Sequence, residues 1–173
     1  MKNTQKLVPS LWFDKETEEA IGFYISVFNG SPHKIAESKI VSITRYESGM
    51  EVPGADSMVG KIITAIFELN GQRFMALDGG PIFQFNESIS FYVECEDQAE
   101  VDYFWKNMSA VPESEQCGWI KDKFGLSWQI VPRQLGELLS SPNRVKALAA
   151  TNAMLHMKKI VIADLQKAFD DAS

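Results

Sequence analysis

The run Val8-Pro9-Ser10-Leu11-Trp12-Phe13 is apolar and aromatic and stops at Asp14, which predicts a strand leading into a helix. From Thr17 to Phe28, Ala20, Ile21, Tyr24 and Phe28 recur at helical spacing. Glu18 and Glu19 lie in the first turn, where carboxylates suit the helix dipole, and Asn29-Gly30 ends the segment. His33 to Tyr46 is β-rich but irregular and predicts one bent strand. Ser48 to Gly60, punctuated by Gly49, Pro53 and Gly54, predicts a loop able to cover a cleft. Lys61 to Leu69 and Gln72 to Asp78 predict two strands joined by Asn70-Gly71, a dipeptide that accepts the positive φ angles of a tight hairpin.

After GGPIFQFNE at residues 79–87 the pattern starts again. Ser88 to Val93 predicts a strand, Glu94 to Asp97 an acidic bend, and Gln98 to Met108 a helix with Val101, Phe104, Trp105 and Met108 on one side. Ser109 to Glu115 is a connection, and CGWIKDKFGLSWQIVP at 117–132 predicts a hairpin turning through Asp122-Lys123-Phe124-Gly125. An offset of 80 positions sets Phe13 on Val93, Asp14 on Glu94, Ile21 on Val101, Tyr24 on Phe104 and Phe28 on Met108. An offset of 54 sets Gly71 on Gly125 and Phe74 on Trp128. The agreement is in residue class, and it points to a tandem repeat of strand, helix and antiparallel strands.

The remainder, residues 133–173, is helical in pattern. Leu135, Leu138 and Leu139 mark one short helix, Asn143 to Met157 a second and Asp164 to Ala172 a last, with Lys158 to Ile162 a possible strand. An extension outside a repeat suits a packing or dimer surface.

Composition narrows the classes. The chain has 173 residues, 45% of them hydrophobic and 11% aromatic, enough for one core or two small fused halves. With a formal charge of -6 and scattered Lys and Arg, it lacks the basic stripe that a nucleic-acid partner requires. No apolar run is long enough to span a bilayer and the first residues carry no apolar leader core, so a cytoplasmic protein without membrane partners is expected. Cys95 and Cys117 cannot build a disulfide framework and are not spaced as a zinc pair, so both read as reduced structural thiols.

LWFDKETEEAIGFYISVF at 11–28, FELNGQRFMALDGGP at 67–81, ISFYVECEDQAEVDYFW at 89–105, the hairpin at 117–132 and MKKIVIADL at 157–165 resemble the PhnB-like family. That family bears the domain name 3-demethylubiquinone-9 3-methyltransferase and falls in the vicinal oxygen chelate superfamily, with glyoxalase I, extradiol dioxygenases and fosfomycin-resistance proteins. The resemblance implies an α+β fold of two tandem βαβββ units, with mixed or antiparallel curved sheets enclosing a cleft. The units would occupy roughly 6–80 and 86–132 of a domain spanning 1–132, followed by a helical extension at 133–173.

The superfamily's metal-ligand positions fall here at Val8, Met75, Ser88 and Gln129, of which Gln129 alone offers a usual donor, while His33 and His156 fall outside the cleft. No metal is therefore expected. A methyltransferase of the open parallel-sheet kind needs a Gly-rich loop that admits S-adenosylmethionine. Asp78-Gly79-Gly80 instead leads to Pro81 in an antiparallel pattern, so neither S-adenosylmethionine nor another cofactor is expected.

Strand alternation puts Ser10, Trp12, Leu77, Ser90, Tyr92, Ser127 and Val131 on the faces of those four positions. Ser10, Trp12, Met75, Ser88, Ser90, Tyr92 and Gln129 are thus the candidate lining for a small, partly apolar organic ligand. Met75, Leu77 and Val131 also suit plain core packing, whereas a core of serines and a glutamine would leave polar groups to satisfy. No catalytic residue stands out: Cys117 has no neighbouring base, and Arg45, Arg73, Lys121 and Lys123 suit solvent as well as an anion. The expectation is a metal-free small-molecule binder, with the ligand between its halves, that forms a homodimer through the 33–46 strand edge. The alternative is an enzyme, either metal-dependent in another register or a methyltransferase acting on a quinone-like substrate.

Overall fold

The computed structural model describes residues 5–51 and 55–173, so Pro53 and Gly54 of the predicted covering loop lie outside the described residues. The chain divides into two compact units, Met1–Gly30 with Lys34–Gln84, and Ser31–His33 with Phe85–Ser173.

The first unit runs β1 (Ser10–Phe13), α1 (Thr17–Asn29), β2 (Lys39–Arg45), the short α2 (Ala55–Met58), β3 (Ile62–Leu69) and β4 (Gln72–Asp78). Its four strands are ordered β1-β4-β3-β2, with β1 parallel to β4 and the other pairs antiparallel. Asn70 (φ 50°) and Gly71 (φ 89°) close the β3–β4 hairpin in the left-handed region that this dipeptide tolerates. Alternation is clean in β4, where Phe74, Ala76 and Asp78 are buried while Met75 and Leu77 are half-buried. α1 lays Ala20, Ile21, Tyr24, Val27 and Phe28 over the buried set, which includes the stacked Phe67–Phe74 pair at 5.5 Å.

No side chain caps α1 from Glu16. Instead buried Asp78 accepts from Thr17 N at 3.0 Å and from Ile62 N at 3.3 Å, tying the end of β4 to the starts of α1 and β3.

The predicted strand from His33 to Tyr46 is shorter, since residues 33–38 are irregular and β2 begins at Lys39. Side-chain amides compete for the backbone there. Asn70 Oδ1 accepts from Ile35 N and Ala36 N at 2.7 and 2.9 Å, and Asn29 holds Ser38 through both its N–H and its C=O.

The second unit contains β5 (Ser90–Cys95), α3 (Gln98–Met108), β6 (Trp119–Lys121) and β7 (Ser127–Pro132). The three strands are ordered β5-β7-β6, with β5 parallel to β7. The segment after α3 forms a single 3-10 turn at Pro112–Ser114 and closes the β6 edge itself: Ala110 N donates to Lys121 O at 2.9 Å, and Gln116 bridges Trp119. Asp97 caps α3 by accepting from Glu100 N at 2.9 Å, and the buried Glu100 carboxylate accepts from Glu96 N and from Ser31 Oγ.

Asp122, 1% exposed, organises the β6–β7 turn. Its carboxylate accepts from Phe124 N at 2.8 Å, Leu126 N at 3.0 Å and Trp128 Nε1 at 2.8 Å, while Gly125 supplies the positive φ.

The extension folds as α4 (Arg133–Leu139), α5 (Arg144–Leu155) and α6 (Ile162–Asp171). Leu135, Leu138, Ala150, Ile160 and Leu165 cluster with Val131 of β7. Residues 158–161 do not form a strand, because their backbone groups are taken singly. Cys117 N and Gly118 N donate to Met157 O and Lys158 O, and Gln98 Nε2 donates to Ile160 O while Gln98 Oε1 receives Ile162 N. Among the described residues no helix is long and apolar enough to cross a membrane.

Candidate functional site

In the first unit, β1 lies parallel beside β4 with Ser10 next to Met75 and Trp12 next to Leu77. Leu11, Phe13, Phe74 and Ala76, in the opposite phase, are buried on the side where α1 packs. The other face continues onto β3, where Ile66 stands opposite Met75, and onto β2, where Ser42 pairs with Ile66 and Thr44 with Thr64. The result is an open sheet surface of half-buried apolar side chains bordered by hydroxyls, with the Glu68–Arg73 ion pair at 2.9 Å on a neighbouring rung.

Trp12 is held in place on this face by three neighbours. Its Nε1 donates to Gly80 O at 2.9 Å, and the Phe83 ring meets it edge-on at 5.0 Å and 76°. Gly79 lies so close that a Cβ built there would fall 2.1 Å from Trp12 Cε2. Phe83 itself is 62% exposed. Sequence reading missed both Phe83 and the part played by Gly79. The available signal was an apolar Ile82-Phe83 pair inside a Gly- and Pro-containing connection.

In the second unit, Ser90 lies beside Ser127 and Tyr92 beside Gln129 on the parallel β5 and β7. Gln129 Nε2 donates to Ser90 Oγ at 2.8 Å, so these two candidates form a polar pair. Tyr92 is 53% exposed, and partial burial first, then the Glu94 charge, raises its phenol above the ordinary value. Ser127, by contrast, is buried, and its hydroxyl has no hydrogen-bond partner among the described residues. Val131 is enclosed by the extension's core. Ser88 precedes the strand, its N–H and hydroxyl both donating to Asn86 Oδ1 in a local turn, so the β5 alternation does not govern it.

Val8, Met75, Ser88 and Gln129 are the positions at which the resemblance leads one to expect any metal ligands, and the side-chain N–H of Gln129 is engaged with Ser90. That donor set does not fit a divalent ion, which asks for several carboxylate, imidazole or thiolate ligands. His33 Nε2 pairs with Asp97 at 3.0 Å and His156 Nδ1 with Asn152 O at 2.7 Å. Among the described residues, no three His, Cys, Asp or Glu converge. Gly79-Gly80 does not make a nucleotide cradle either, since the indole of Trp12 takes the space that Gly79 leaves. Cys95 is fully buried, with its thiol pushed well up by desolvation, which rules against a nucleophilic role.

Residues 5–131 match the family model described as 3-demethylubiquinone-9 3-methyltransferase. Among solved structures, the chain is similar to a putative 3-demethylubiquinone-9 3-methyltransferase, PhnB protein, from Bacillus cereus. Identity is 34% and the TM-score 0.58, over 74% of this chain and 99% of that one. The protein PA1353 from Pseudomonas aeruginosa shares the fold at 18% identity and a TM-score of 0.56, over 75% of this chain and 98% of that one. No curated protein sequence matches the chain. The family match ends at residue 131, at the end of β7, and with it the chain is shown to belong to the PhnB-like 3-demethylubiquinone-9 3-methyltransferase family.

Proposed function

We propose that this protein binds a small, partly apolar, planar organic molecule on the open sheet face around Trp12, without a divalent metal and without S-adenosylmethionine. The observation that carries the reading is the state of Trp12: a large ring locked by Gly79, Gly80 and Phe83, yet only partly buried, beside Met75 and Leu77. A rigid aromatic platform edged by hydroxyls costs little ordering entropy when a planar ring stacks on it. Ser10, Met75 and Leu77 complete that face. Within the second unit, the Ser90–Gln129 pair and Tyr92 form a polar group of their own.

The name carried by the family and by the Bacillus cereus relative points to an aromatic, quinone-related substrate, and Trp12 with Phe83 suits such a ring. The space beside Gly79 is filled by the Trp12 indole, and Cys95 is fully buried. The reading is tested by a thermal-shift screen of phenols, quinones and related aromatics, with calorimetry against S-adenosylmethionine alongside. Stabilisation by at least one aromatic compound, weakened in Trp12→Ala, together with no heat from S-adenosylmethionine, is the expected result. Saturable S-adenosylmethionine binding, or no response to any compound, contradicts it.

A further inference from the structure

The sheet of the second unit presents two rungs on the face that carries Gln129. In the first, Ser127 on the central strand β7 stands between Ser90 on β5 and Lys121 on β6; in the next, Gln129 stands between Tyr92 and Trp119. Residues opposite one another on neighbouring strands project from the same face, about 4.8 Å apart by strand spacing. The grid sets a row of hydroxyl, hydroxyl and ammonium beside a row of ring, carboxamide and ring. Tyr92 is exposed and Trp119 half-buried, so both rings keep uncovered surface.

Two donors in the polar row are unspent. Ser127 is 1% exposed, and its hydroxyl meets neither Ser90 nor any other group among the described residues. A buried hydroxyl without a partner is costly, so this one calls for an acceptor. Ser90 Oγ accepts from Gln129 Nε2 at 2.8 Å, which leaves its own O–H proton to be donated elsewhere. Lys121 is paired with Glu87, which lies just ahead of β5. That ion pair joins β6 to the lead-in of β5 at the end of the sheet where Ser127 lies between the two strands. Its acidic half is the looser one, the Glu87 side chain being 61% exposed and that of Lys121 22%.

We propose that this face is a second binding site, taking the carboxylate of a small aromatic acid, and that the Glu87–Lys121 ion pair covers it when the site is free. The incoming carboxylate replaces that of Glu87 on Lys121 and accepts from the hydroxyls of Ser127 and Ser90, while the aromatic body lies against Tyr92 and Trp119. Three features select this class. The resident partner of Lys121 is itself a carboxylate, so the exchange is like for like and keeps the charge-assisted bond. An exposed ion pair contributes little, so Glu87 is released at small cost, whereas the ligand satisfies a buried hydroxyl that Glu87 leaves unmet. The two rings beside the polar row suit a planar apolar body. The site is built from second-unit residues alone and does not rest on the Trp12 reading.

The test is proton–nitrogen correlation NMR of the full chain titrated with benzoate, with benzamide as the neutral isostere and inorganic phosphate as an anion without a ring. Benzoate should move the backbone amides of residues 90, 121 and 127 saturably, with a dissociation constant on the order of 1 mM, and benzamide and phosphate should each bind about tenfold more weakly or worse. Lys121→Met should weaken benzoate by about tenfold or more. Glu87→Gln should strengthen it several-fold, because the competing carboxylate is gone. Ser127→Ala should weaken benzoate and leave the unfolding midpoint unchanged or higher, since it deletes a buried hydroxyl that has no partner. The inference is overturned if benzoate moves none of those amides up to about 20 mM, or if benzamide or phosphate matches it. It is equally overturned if Glu87→Gln weakens binding or leaves it unchanged, or if Ser127→Ala lowers the midpoint, which would show the hydroxyl already satisfied by water.

Discussion

Gly79→Ala probes the packing of Trp12 without touching the indole. Gly79 does not have a positive φ, so alanine meets no backbone strain and the perturbation is steric. The new methyl carbon would sit 2.1 Å from Cε2, 2.2 Å from Cζ2 and 2.7 Å from Cδ2 of Trp12, well inside van der Waals contact. The neighbour is the body of a ring already tied to Gly80 O and Phe83, so it cannot yield by a small rotation. Overpacking of this kind costs about 1–3 kcal/mol, and loss of the indole hydrogen bond adds about 1 kcal/mol.

In the Trp12→Ala background the clash is gone. The same substitution should then be neutral or stabilising by about 0.5 kcal/mol, because alanine restricts the unfolded chain. The double-mutant cycle should therefore give a coupling of roughly 2–4 kcal/mol. Urea unfolding followed by far-UV circular dichroism reads all four proteins without relying on Trp12 fluorescence. If Gly79→Ala costs the same in both backgrounds, or less than about 0.5 kcal/mol in the wild type, Trp12 is not locked as described and the platform argument fails.

Asp122→Ala should lower stability by about 3 kcal/mol or more, because two backbone N–H groups and the Trp128 indole lose a shared buried acceptor; chemical denaturation measures it. For Asp97, the Glu100 amide first and His33 second hold the carboxyl below its ordinary value. A depressed folded-state value means a contribution present above the unfolded carboxyl's pKa and lost as pH falls through the folded one. Thermal unfolding across pH should accordingly show Asp97→Ala less stable than the wild type at neutral pH and converging with it in acid. A constant gap across pH would refute that assignment.

Where sequence chemistry is local, the elements were readable to the residue. Gln72–Asp78 follows an Asn-Gly turn, and Gln98–Met108 follows an Asp cap three residues before a Glu, so both spans could be read from their own neighbourhoods. The reading failed where a distant side chain captures the backbone. Asn70 removes Ile35 and Ala36 from a strand and Gln98 holds residues 160–162, while Ser88 is kept out of β5 by a local turn through Asn86. Alternation, counted from the positions that the family resemblance implied, put Ser10 and Trp12 on a face with Met75 and Leu77. It also placed Ser90 and Tyr92 with Gln129, although not the hydrogen bond that joins Ser90 to Gln129. The fit of Trp12 onto Gly79 could not be read, since it depends on how the chain leaves β4, and no periodicity records that.

On the proposed function, Trp12 anchors ligand binding independently of a metal ion. The most direct test is titration calorimetry of the best aromatic compound against chelator-treated protein, wild type and Trp12→Phe in parallel. Affinity should be unchanged by chelation and by added divalent ions, and should fall about tenfold when the indole becomes a smaller ring without its N–H anchor. Binding that disappears with the chelator and returns with a divalent ion, or that is indifferent to residue 12, would contradict that reading.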